Sequence, residues 1–579
     1  VIEIPGAWSV PTPVRAFPPS RGNGFRSTTK FMDLPPRAVN RNACARFVPD
    51  CAAAVATDGG EKPALDFRAA RDVALSCGVD HSIRGNGASS YRRHLEGACH
   101  LQRMHTLDAE FLYLEDAKSP LHIAGISIFE GPPPLRSEIL DHYASKLADF
   151  PCYRQRARSL PFALGRPVWV DDPHFDLSYH VRWTALPAPH DESALFALVG
   201  RLMSQLLDRE RPLWEAWVVE GLTGGRWALI SKVHHALVDG ISGVGLFAAL
   251  LSPTAEHVPA PPAAPFRPEA EPSRRALFSA ALRTLRGDAE KEGEKLLSTV
   301  RDSSARFQTV RDLSQGLRRL GAGLRAGTAV SLQGKVGPHR AFTAANVPFE
   351  DVQKIRKVLG GTVNDVVLAI LSGAYRTLLM QRGDDVTRGP IRALVPISTR
   401  AAARHGTLDN HVAALFCDLP VHLAEPVARL HAVSEQMGQL KKSHVAEATA
   451  WLLDVGDLIP SVLLGALTRA IALVMHRVPQ RSFVTVATNV PGPPKALYLL
   501  GRKMLAYYPY VPITQGARVG VAILTYDGQV AFGVTACRDS VPEISTFAEA
   551  LLRSTAELVD AAQLASASGA AHGARPERA

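Results

Sequence analysis

The sequence predicts a mixed α/β protein built as two lobes, and three observations predict it. Its 579 residues are too many for one compact domain and enough for two or three. Two long stretches alternate strand-like and helix-like apolar patterns, and a break with seven prolines in residues 253–272 separates them. With 46% apolar residues in a varied sequence, global disorder and a fibre are excluded.

Taken in order, residues 1–100 are poorly patterned and read as a dispensable extension, with a small extra domain as the alternative and Pro63 to Leu75 the one helical hint. The N-terminal lobe, 101–252, opens with helix-like spacing in Leu107–Glu115 and strand alternation in Pro120–Phe129. Leu135–Leu147 and Glu192–Leu207 read as helices, and Trp214–Glu220 and Trp227–Val233 as strands joined by a glycine turn. Residues 253–339 form a proline-rich linker followed by basic, alanine- and leucine-rich bridging helices. In the C-terminal lobe, 340–560, helices are expected at Phe349–Leu359, Val363–Leu379 and Pro426–Lys442. Strands are expected at Ile391–Pro396, His411–Leu419, Phe483–Thr488, Val519–Tyr526 and Gln529–Ala536, the last two joined by an Asp527-Gly528 hairpin turn. The tail, 561–579, is small and polar and is expected to be disordered.

Composition narrows the function. A net charge of +10 favours anionic partners such as phosphates, anionic cofactors or a bilayer surface. No basic-aromatic ladder or finger spacing points to nucleic acid. Seven scattered cysteines read as thiols of a reducing compartment. No signal-peptide pattern opens the chain, and Val462–Met475, interrupted by Arg469, falls short of the ~20 residues of a membrane span. A cytoplasmic protein, attached to membranes at most peripherally, is expected.

The most informative stretch is Ser231–Gly243, in which a strand pattern delivers His234 and His235, and Asp239 and Gly240 follow. Histidine can serve as a general base near neutral pH, a carboxylate can orient it, and glycine admits close approach. The spacing matches no zinc signature, so no metal is expected. A bare His-x3-Asp is more often structural than catalytic. Ser242 sits in Asp-Gly-Ile-Ser-Gly, which is not a lipase elbow.

The string His-His-Ala-Leu-Val-Asp-Gly resembles the HHxxxDG signature of CoA- and carrier-dependent acyltransferases. Residues 101–560 resemble the bacterial wax ester synthase/acyl-CoA:diacylglycerol acyltransferase family through further ordered blocks. These are Met104–Asp116, Pro212-Leu213-Trp214, Thr362–Asp365, Ala393–Arg400 and Asn489–Pro493. Asp409-Asn410 departs from the Gly-Asn pair common in that family.

The resemblance implies two chloramphenicol-acetyltransferase-like lobes with an active-site tunnel between them. It implies that His235 is the general base, that Asp239 shapes the site and that His234 supports it. It also implies that Gly240, Asn364 and Asp365 line or brace the site, and that Asn489, Pro491 and Gly492 support its far wall. Pro212, Leu213 and Trp214 would pack beneath the active-site strand. Trp214 by itself reads more readily as core than as a ligand contact, Thr362 equally as a helix cap, and Asn489–Pro493 also as a strand terminator.

The implied reaction passes an acyl group from fatty acyl-CoA to diacylglycerol, giving triacylglycerol, or to a long-chain alcohol, giving a wax ester. It needs no tightly bound cofactor. The implied setting is a membrane or lipid-droplet surface, without nucleic acid. Two alternatives stand beside it: a condensation-type enzyme using a carrier-bound donor, and a lipid-surface protein without turnover.

Overall fold

The computed structural model describes residues 102–160, 166–237, 245–256, 265–283, 286, 327–398, 412–442 and 482–573. Outside them lie the 1–100 extension, Asp239 and Gly240, Ser242, Arg400, Asp409-Asn410, most of the basic 274–330 stretch and the 462–475 segment.

The first half contributes helix α1 (Thr106–Leu114), strand β1 (His122–Phe129), α2 (Arg136–Leu147), β2 (Val181–Ala185), α3 (Glu192–Met203), β3 (Trp214–Leu222), β4 (Arg226–His234) and α4 (Gly245–Leu250). The second half contributes β5 (Arg340–Pro348), α5 (Phe349–Leu359), α6 (Val363–Gln381), β6 (Ile391–Ser398), β7 (Val412–Leu419) and α7 (Pro426–Lys442). It continues with β8 (Thr485–Val490), β9 (Tyr498–Leu499), β10 (Arg502–Tyr510), β11 (Val519–Tyr526), β12 (Gln529–Cys537) and α8 (Ser545–Gly573).

Two six-stranded sheets result. One runs β9-β10-β1-β4-β3-β2 and the other β7-β6-β8-β11-β12-β5. Both are mixed: β2–β3, β6–β8 and β8–β11 are parallel pairs within otherwise antiparallel ladders. The Asp527-Gly528 turn takes positive φ at both residues (44° and 76°), the geometry that matches strand twist in a two-residue hairpin.

The lobes are not two contiguous halves of chain, which corrects the 101–252 and 340–560 division. Strand β10 leaves the C-terminal lobe and pairs antiparallel with β1, placing Tyr508 beside Ile126 and Tyr510 beside Ala124. Such a partner, nearly 400 positions away, leaves no local trace in the sequence. The expected disorder of 561–579 is also corrected over 561–573, while 574–579 lie outside the described residues. Helix α8 continues to Gly573, as the alanine-rich run extends an established helix at low cost.

Each sheet buries its faces differently. Helices α2 and α4 cover one face of the first sheet, where Trp214, Trp227, Leu229 and Leu246 pack. The opposite face packs on α3 and on Phe342, Tyr508, Tyr510 and Ala531 of the second half, so the lobes share one core. Gly200 on α3 lets the Arg340 backbone approach: a Cβ there would lie 2.7 Å from the Arg340 carbonyl. The second sheet packs on α5, α6 and α8 through the largest core. Helix α6 is long and apolar enough to cross a membrane, and it lies mostly buried within this lobe.

Candidate active site

Strand β4 ends at His234, and His235 opens a short 3-10 turn to Leu237 rather than continuing the strand. The backbone pins this turn from two sides. The His234 N–H donates to Leu213 O (2.9 Å) and the His235 N–H to Leu121 O (2.9 Å).

The two imidazoles differ sharply. His234 is fully buried, and its Nδ1 accepts the Ala236 N–H at 3.0 Å. An acceptor Nδ1 requires the ring proton on Nε2, which faces Glu115 Oε1 at 3.3 Å. The His235 ring is partly exposed and stacks on Phe111 with centroids 3.9 Å apart, and its Nδ1 has no hydrogen-bond partner among the described residues. Burial, joined by the neighbouring His234, lowers its pKa to about 4, so the imidazole is neutral across the physiological range.

Glu115 was not singled out as a site residue, although Leu107–Glu115 was recognised as a helix. Its side chain is 1% exposed. Burial pushes its carboxyl up, but His234, Arg209 and the Leu121 N–H outweigh that and hold it at about 2. Phe111 and Glu115, four positions apart, share one side of the helix and its end, so one short element contacts both histidines. With Asp108, Glu110 and Asp116 also in this segment, nothing local sets Glu115 apart from its acidic neighbours.

Pro212, Leu213 and Trp214 are buried, and rather than packing beneath β4 they lie beside it in the same sheet, where Trp214 pairs with Val233 and the Leu213 carbonyl accepts the His234 N–H. The Trp214 indole donates to Tyr153 O (2.8 Å) and stacks on His180 with centroids 4.7 Å apart. Beside it, on the helix-covered face of the first sheet, lies a small cavity of about 70 Å³. Tyr143, Trp214, Ser231, Val233, Phe247 and Tyr507 line it. Its wall is mostly apolar. Gly125 is needed there, since a Cβ would sit 2.2 Å from the Tyr507 hydroxyl.

A second cluster gathers residues far apart in sequence. The Asn489 side-chain amide donates to Asn364 Oδ1 at 3.2 Å, tying the end of β8 to the start of α6. Asp365 is buried and closes a capping box with Thr362: Thr362 N–H donates to its carboxylate (2.8 Å), and Asp365 N–H donates to Thr362 Oγ1 (3.3 Å). Ser434 also donates to Asp365, so this carboxylate braces α6. Pro491 is exposed, whereas Gly492 lies against β11, where a Cβ would fall 2.1 Å from Thr525 O. Among the described residues the asparagine pair and the histidine turn share no hydrogen bond, and no three His, Cys, Asp or Glu side chains converge to hold a metal.

The two-lobed mixed α/β fold thus carries a histidine pair at the end of a central strand. The comparisons identify the family. Residues 104–367 match the wax ester synthase/diacylglycerol acyltransferase catalytic domain, and residues 408–558 match the C-terminal domain of the same family. The chain belongs to this family. It is 35% identical over 461 residues to a probable diacylglycerol O-acyltransferase, tgs1, of Mycobacterium tuberculosis, covering 79% of this chain and 96% of that protein. It is 31% identical over 446 residues to another from the same organism, tgs2, covering 76% and 94%. The wax ester synthase/diacylglycerol acyltransferase of Marinobacter aquaeolei shares the fold at a TM-score of 0.56 and 27% identity, over 80% of this chain and all of that one.

Proposed function

We propose that this enzyme transfers a fatty acyl group from an acyl-CoA thioester to the hydroxyl of diacylglycerol or a long-chain alcohol, with His235 as the general base. The observation that carries the reading is the contrast between the histidines: His234 is fully buried, with Nδ1 accepting the Ala236 N–H and Nε2 facing Glu115, whereas the His235 ring is partly exposed and its Nδ1 has no hydrogen-bond partner among the described residues.

His235 takes the hydroxyl proton as the oxygen attacks the thioester carbonyl. The tetrahedral intermediate collapses, the C–S bond breaks, and the imidazolium returns its proton to the departing thiolate. Burial disfavours the imidazolium, which favours that return. Asn364, held by Asn489, is a donor suited to the developing oxyanion. Because the acceptor attacks directly, no serine or cysteine nucleophile is required. A site between the lobes would exclude water and so prevent thioester hydrolysis.

The acceptors are lipids, so the same reading places the enzyme in the cytoplasm, at the surface of a membrane or lipid inclusion. The net charge of +10 suits both that surface and the anionic CoA head. Purified protein is offered labelled palmitoyl-CoA with diacylglycerol and with hexadecanol, beside the His235→Ala variant. Labelled neutral lipid from wild type and none from the variant supports the reading, and an active variant overturns the base assignment.

A further inference from the structure

We infer that Glu115 is a positioning residue for acyl transfer, its carboxylate setting the place of His235 through His234 and through Leu121. The inference rests on His235 being the base.

One oxygen reaches both sides of the turn. Glu115 Oε1 accepts the Leu121 N–H at 3.0 Å and faces His234 Nε2 at 3.3 Å. The carbonyl of Leu121 in turn accepts the His235 N–H at 2.9 Å. Moving Oε1 therefore releases the His234 ring and the N–H of Leu121, the residue whose carbonyl holds the His235 N–H.

The other oxygen is anchored. Arg209 donates to Oε2 at 2.8 Å and to Leu112 O at 2.9 Å, locking the carboxylate to the last turn of α1. The same helix carries Phe111, whose ring stacks on His235. Backbone, neighbouring ring and stacking partner of His235 are thus all referred to one carboxylate. A buried anion is costly for packing alone, and this one has a charged partner and two further N–H groups converging on it.

The test separates length from charge in the full chain. Glu115→Gln keeps the length and an Oε1 acceptor, while Glu115→Asp keeps the charge and withdraws the oxygen. Steady-state rates with palmitoyl-CoA and hexadecanol are measured beside thermal unfolding and ¹⁵N-histidine spectra.

The Asp variant is expected to lose kcat by up to about 100-fold, the scale of a ~1 Å misplacement, with KM for both substrates unchanged. It is also expected to lose the Nε2–H tautomer of His234, while the Gln variant retains both that tautomer and most of kcat. Wild-type kcat in the Asp variant, or losses in both variants that only follow the folded fraction, overturns the inference. An active His235→Ala variant instead sinks the base assignment, and an inactive one beside an unimpaired Asp variant sinks this inference alone.

Discussion

At the scale of the residue, neutrality of His235 is the property on which the chemistry turns. Its pKa is lowered from 6.5 to about 4, mainly by burial, so the base stays unprotonated down to acid pH. kcat/KM should therefore hold a plateau through pH 6 and fall only toward pH 4; a pH–rate profile with an acid limb near 6.5 would contradict it. Stability carries the same sign. A histidine depressed in the folded state favours folding fully above 6.5, and this is lost as pH falls through 4. Glu115, lowered from 4.5 to about 2, adds stability present above 4.5 and lost toward 2. Denaturant midpoints should accordingly drop below pH 6.5 and drop further below 4.5. The two histidines were legible in the sequence because they are adjacent in a strand-to-turn string. Glu115 was not, since its partner lies 119 positions on and only folding brings the carboxylate to the ring.

At the scale of the element, glycines and caps decide whether the asparagine cluster holds its shape. Thr362→Ala removes the acceptor of the Asp365 N–H and should cost about 1 kcal/mol of stability. Denaturant titration reads that cost, and it loosens the turn carrying Asn364. Gly492→Ala forces a Cβ against the Thr525 carbonyl and should destabilise by roughly 1–3 kcal/mol. Gly438 supplies the opposite sign: it lies within α7 with open space around it, so Gly438→Ala should stabilise by roughly 0.5–1 kcal/mol. A shared sign for these two glycine substitutions in thermal unfolding would refute the close-approach argument. Capping and hairpin signals are local, which is why Thr362 and Asp527-Gly528 could be read in advance.

At the scale of the whole molecule, β10 makes the lobes interdependent. Without it the first sheet exposes the edge of β1 and loses Tyr508 and Tyr510 from the core shared with α3. A fragment ending at residue 256 should therefore lack a cooperative unfolding transition and near-ultraviolet circular dichroism. Mixing it with residues 327–579 should restore both. A stable, cooperatively folding fragment would count against the shared core.

The sequence by itself determined the class of fold, most helices and strands, the hairpin turn, the family and the histidine pair, because each is written in local periodicity or in a contiguous string. Only the tertiary structure decided that β10 crosses between sheets, that α8 carries on into the alanine-rich tail, and that His234 is fully buried against Glu115 while the His235 ring is partly exposed. It also decided that Asp365 braces a helix, and that Glu115 sits behind the turn. Those outcomes depend on which distant groups meet and on how much water is removed when they do, and local sequence encodes neither.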